Sequence, residues 1–167
     1  MRFLIVVALL FGACKSDSKS GGGTSSSSAS APKITLVDSS DKTNKVNVEF
    51  AVPSSWKAEA GDDLSWKTDG GARLALVYED LGGTDDASRM KHVIKAQWSD
   101  EELGSGATRK DYPDGRVWIA KPLDNGMLHG RLFIPAPHGV VMGIATMRDP
   151  KGMDSAHSAF ETLKIVP

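Results

Sequence analysis

Val46, Val48, Phe50 and Val52 alternate with Asn47, Glu49 and Ala51, the period of two expected of a strand with one buried face. Pro53 ends that run, and Trp56 follows after two serines. Residues 64–68 and 72–79 flank Asp69-Gly70-Gly71, which predicts a β-hairpin, because glycine takes a positive φ without steric cost. A helix is expected next. Asp85 and Asp86 stand where a helix N-terminus favours negative charge, with Thr84 or Asp85 as cap, and Ala87, Met90, Ile94 and Trp98 fall on one helical stripe.

Four apolar strands are predicted over 107–112, 116–121, 127–134 and 139–147. They are separated by Pro113-Asp114-Gly115, Asp124-Asn125-Gly126 and Pro135-Ala136-Pro137-His138, all turn-forming chemistry. Short turns make neighbouring strands antiparallel, so the four form a meander. The last of them is apolar or small at every position from Val140 to Met147, the pattern of a strand covered on both sides. A helix over 154–163, with Ala156, Ala159, Phe160 and Leu163 on one stripe, and a short strand over 164–166 close the pattern. The class implied is α+β: an antiparallel sheet, hairpin plus four-strand meander, packed by helices on both faces.

The N-terminus is different. Arg2 precedes an unbroken apolar run from Phe3 to Phe11, and Cys14 is the single cysteine of the 167 residues. Nine apolar residues are about half of the ~20 needed to span a hydrocarbon core, but they suit a cleavable secretory signal. Leu10-Phe11-Gly12-Ala13-Cys14 resembles the lipobox of bacterial lipoproteins, with Phe11 where that family usually carries Leu. The resemblance implies acylation of Cys14 and removal of residues 1–13; the alternative is an ordinary signal peptide with an incidental cysteine. Two or more acyl chains, at about 0.8 kcal/mol per buried methylene, anchor stably where one does not. Lys15 in place of Asp points to outer-membrane sorting in a Gram-negative envelope. Residues 14–32 then form a Ser/Gly-rich tether too poor in apolar groups to fold, with an r.m.s. reach of about 23 Å. Residues 33–167 form one domain of ordinary size.

The formal charge of −1 becomes about −2 once Arg2 is removed with the signal, and no basic stripe stands out, which argues against nucleic-acid binding. No repeat of solenoid or propeller period is visible.

A strand running into Val52-Pro53-Ser54-Ser55-Trp56, then hairpin, helix, meander and a final helix ending Phe160-Glu161-Thr162-Leu163-Lys164-Ile165, resembles the PsbP-like, Mog-type α/β/α sandwich, over about 33–167. That group is mostly non-enzymatic: extrinsic subunits of photosynthetic complexes, a binder of a nuclear-transport GTPase, and envelope lipoproteins. The resemblance implies the sandwich architecture and carries no functional residue onto a position here.

The chemistry-bearing residues are sparse. His92 falls on a polar helix face beside Lys91 and Lys95. His157 stands four before Glu161, the spacing of a surface pair. His129 shares a strand face with Arg131 and Phe133 and reads as partly buried and structural. Without thiolates, a histidine pair at ligand spacing or a dense acidic loop, no metal site or cofactor is expected. Gly104-Ser105-Gly106 lacks the nucleophile-elbow pattern, and Glu101-Glu102 reads as a solvated doublet. One site is expected from topology. Alternate turns of a meander emerge at one end of the sheet, so Tyr112 and Arg116 should approach Pro137 and His138 on rigid loops. Tyr and Arg are common interface anchors. The function expected is a lipid-anchored, non-enzymatic binding or assembly module, with the bilayer engaged through Cys14 and an envelope protein as partner. The alternatives are an envelope hydrolase, a small-molecule carrier, or a structural surface protein without a ligand.

Overall fold

The structure is a computed structural model, and it describes residues 31–38, 43–82, 85–99, 103–104 and 106–167. Cys14, the signal, nearly all of the tether, Thr84, Ser105 and the Glu101-Glu102 doublet lie outside the described residues. Among the described residues no helix is long and apolar enough to cross a membrane.

Among the described residues the fold is mixed α+β, with two antiparallel sheets and two helices whose full extent is described. In order they are β1 (Lys33–Val37), β2 (Lys45–Glu49), β3 (Lys57–Glu59), β4 (Asp62–Lys67), β5 (Arg73–Asp80), α1 (Asp86–Gln97), β6 (Thr108–Asp111), β7 (Val117–Pro122), β8 (Leu128–Ala136), β9 (Gly139–Met147), α2 (Pro150–Glu161) and β10 (Lys164–Val166). The expected meander is β6 to β9, and the expected hairpin is β4–β5. Both lie in one seven-stranded sheet of order β3-β4-β5-β9-β8-β7-β6, because β9 pairs with β5 along its length, from Arg73↔Thr146 to Asp80↔Gly139. β1 and β10 flank β2 in a separate three-stranded sheet.

Strand β9 is apolar or small on both faces because its alternate residues enter different cores. Val140 and Met142 join Val93, Ile94, Trp98, Ile119 and Phe133 on the face covered by α1. Val141, Ala145 and Met147 join Leu132, Trp118, Met153, Ala156 and Phe160 on the face covered by α2. The three-stranded sheet adds Leu36, Val46 and Val48 to that second core. Phe160 of α2 stacks on Phe50 at 5.6 Å, and Trp66 meets Phe50 edge-on, also at 5.6 Å. Each such buried ring contributes about 1.5–3 kcal/mol.

Helix α2 approaches the sheet closely because the strands beneath it carry glycine. A Cβ on Gly143 would lie 2.7 Å from Phe160 Cδ1, and one on Gly130 would lie 2.5 Å from the Trp118 ring and 2.7 Å from Met153 Sδ. The helix also starts earlier than its apolar stripe suggests, at Pro150 rather than Asp154. The Asp149 carboxylate accepts from the backbone N–H groups of Lys151 and Gly152, and proline pre-sets φ at the first helical position. Asp85 caps α1 by accepting from Ser88 N. The inner stripe of α1 is Met90, Val93 and Ile94, while Ala87 in the first turn is exposed. The first predicted strand ends at Glu49 instead of running to Val52: Phe50 is fully buried and its N–H bonds the carbonyl of Pro32.

Candidate functional site

The α2-facing side of the outer strands presents Thr108, Lys110 and then Tyr112 beside Trp118 and Ala120, as the pairing of Lys110 with Trp118 requires. Opposite them, Asp154, His157 and Glu161 recur along one flank of α2. Where the two meet, a polar cluster forms around the Tyr112 hydroxyl, which lies 2.6 Å from His157 Nε2 and 2.7 Å from Glu161 Oε1. Lys110 Nζ donates to the same Oε1 at 2.8 Å. The His157 ring lies flat on the Trp118 indole, centroids 4.5 Å apart at 16°.

Arg116 braces the cluster from the β6–β7 turn. Its Nε donates to Asp114 Oδ2 at 2.7 Å, and one terminal nitrogen donates to the Glu161 carbonyl at 3.2 Å, satisfying an end carbonyl of α2. Lys110 and Arg116 also stand over the Tyr112 ring, at 4.5 and 4.9 Å from its centroid, a favourable cation–π geometry.

Hydrogen bonds from Lys110 and then Tyr112 hold the Glu161 carboxyl down at about 2. Burial raises Tyr112, and its bond to Glu161 adds to this. Burial pushes His157 below its ordinary value, opposed by the Glu161 charge. At neutral pH the glutamate is therefore ionised and acts only as an acceptor.

Next to the cluster, towards the N-terminal half of α2, a cleft of about 220 Å3 opens to solvent. Trp118, Pro122, Leu128, Pro150 and Met153 give it apolar walls, and His157, Asp154 and Thr108 give it polar ones.

No protein-family model matches the chain, and no curated protein matches it. Among solved structures it is similar to the solution structure of cyanobacterial PsbP (CyanoP) from Synechocystis sp. PCC 6803. The identity is 13%, over 86% of this chain and 98% of that one, with a TM-score of 0.36. No residue role passes across a likeness of that depth.

Tyr112 and Arg116 meet within their own turn, whereas topology predicts the approach of that turn to the one at Pro135. The two turns are neighbours as well, since a Cβ on Gly115 would lie 3.3 Å from Pro135 Cγ. Pro137 and His138 lie further out along the second turn. The β8–β9 turn projects roughly two residues, about 7 Å, past that contact, and both residues are exposed. Their carbonyls are held from the β5 side, by the Tyr78 hydroxyl at 3.0 Å and Leu81 N–H at 2.9 Å. Tyr112 turns towards α2 instead. Sequence reasoning missed Lys110, Trp118, His157 and Glu161 as its partners. The i, i+4 spacing of His157 and Glu161 was a usable signal for a pair, but nothing local ties that pair to a tyrosine on a sheet edge.

On the opposite face His129 is a second half-buried histidine. Arg131 Nε–H donates to His129 Nε2 at 3.0 Å and the guanidinium lies 5.1 Å from the Trp98 ring centroid. Burial, then the charges of Arg131 and Lys121, push His129 down to about 4.

Proposed function

We propose that this chain is a lipid-anchored envelope lipoprotein whose PsbP-like, Mog-type α/β/α domain is a non-enzymatic binding module, with the cleft beside His157 as its docking point. The Leu10-to-Cys14 lipobox supports the anchor, and the order of strands and helices supports the fold group. The observation that carries the binding role is the cleft's wall. His157 is clamped between Trp118 and the Tyr112–Glu161 pair yet lines an open cavity. A side chain already fixed before contact loses little freedom on binding, which favours recognition.

A photo-crosslinking amino acid in place of Asp154, at the cleft, tests the reading in intact cells against one in place of Lys91 on α1. Capture of a defined envelope protein from the first position alone is the expected result. Equal capture from both, or none from the first, overturns the docking point. Intact-mass measurement of the membrane fraction tests the anchor separately: an unacylated chain removes it.

A further inference from the structure

The proton count of the polar cluster decides what the cleft can recognise. Tyr112 carries one hydroxyl proton and touches two acceptable partners, Glu161 Oε1 at 2.7 Å and His157 Nε2 at 2.6 Å. Glu161 is held ionised by Lys110 and Tyr112, so its Oε1 accepts the hydrogen bond that the tyrosine hydroxyl donates. The contact with His157 is then a hydrogen bond only if Nε2–H donates to the tyrosine oxygen. Burial keeps the ring neutral. The remaining nitrogen, Nδ1, is accordingly a bare acceptor, and it has no hydrogen-bond partner among the described residues. The sequence Glu161, Tyr112, His157 thus sets the tautomer of a residue that lines the cleft.

We infer that the cleft receives one aromatic side chain of a partner polypeptide, a tryptophan or tyrosine, whose N–H or O–H donates to Nδ1 of His157. This rests on the binding-module reading and adds the chemistry of what docks. Size is the first argument. About 220 Å3 falls below the roughly 300–1,000 Å3 of ordinary small-molecule sites, and suits a single ring. Lining is the second: Trp118, Leu128, Met153 and two prolines flank an apolar body, while His157 stands at the wall among the cleft's polar residues, with Asp154 and Thr108. Tryptophan and tyrosine combine such a body with a donor and are frequent interface anchors. Phenylalanine fills the same space but strips water from Nδ1 without replacing it. An unpaired buried acceptor weakens binding by roughly tenfold.

The test is a titration of the full chain, labelled with 15N at histidine, with N-acetyl-tryptophanamide and with N-acetyl-phenylalaninamide. Before ligand, the two ring nitrogens of His157 should report the Nε2–H tautomer. Tryptophanamide should then shift Nδ1 and bind about tenfold more tightly than phenylalaninamide. Tyr112→Phe, which lets the ring exchange tautomers, should abolish the preference while leaving the apolar walls intact. An Nδ1–H tautomer in the unmodified protein, equal affinity for the two amides, or no binding of either up to its solubility limit overturns the inference. Partner capture at Asp154 without a tryptophan preference leaves the binding module standing and removes only the donor rule. A tryptophan preference without capture does the reverse.

Discussion

Acidifying the protein from about pH 7.5 to about pH 4.5 should destabilise it chiefly through His129. Burial first, then the charges of Arg131 and Lys121, keep its ring neutral in the folded state, where Nε2 accepts from Arg131 Nε–H. The unfolded chain takes up the proton near 6.5 and the folded chain only near 4. Between those values the unfolded state binds more protons, so stability present above 6.5 is lost as the pH falls towards 4. A fall from 6.5 to about 4, at about 1.36 kcal/mol per pH unit, is worth about 3 kcal/mol in full and about 2–3 kcal/mol at pH 4.5. That is a large share of a typical stability of about 5–15 kcal/mol. Urea unfolding at the two pH values measures it, with His129→Gln as the control. Glutamine does not titrate, and its carbonyl can still accept from Arg131. Burial depresses His157 with the same sign over a window opening at 6.5, but it is present in both proteins and cancels in the comparison. The wild type should lose about 2–3 kcal/mol more than the variant on acidification. Equal losses would refute the reasoning.

Two further outcomes follow from the packing of α2. Gly143→Ala places a methyl 2.7 Å from the Phe160 ring and should destabilise by about 1–3 kcal/mol, seen as a lower urea midpoint with unchanged slope. Asp149→Ala removes the acceptor for Lys151 N and Gly152 N and should cost about 0.5–2 kcal/mol by the same measurement; no change would mean that Pro150 and tertiary contacts set the start of α2 unaided.

Local pattern made much of the seven-stranded sheet readable. The turns at Pro113-Asp114-Gly115 and Asp124-Asn125-Gly126, and the alternation between them, place β6 to β9 within a residue or two at most ends. What it left out depends on distant partners. The three residues of β3 carry no period, and β1 is five residues abutting a low-complexity stretch. That β9 would lie beside β5 is a choice of edge, which no window along the chain encodes. The start of α2 was legible in principle, since Asp149-Pro150 is a cap followed by a proline, but Gly152 in the first turn looks like a loop. The same division holds for the site. Topology placed the Tyr112 and Pro135 turns side by side, but not the direction of the tyrosine, which is set by the flank of α2 that carries His157 and Glu161.

Strand β2 is held from both sides by segments far apart in the chain: β1 just before it, and β10 beyond α2. The rung between Glu49 and Lys164 can close only after everything between them has left the ribosome, so this small sheet cannot finish forming on a growing chain. Until then Val46 and Val48, buried at completion, have one neighbour strand instead of two. Maturation of the sheet should therefore be most sensitive to late changes near Ile165, where a few residues bolt the first-made hairpin to the last-made helix.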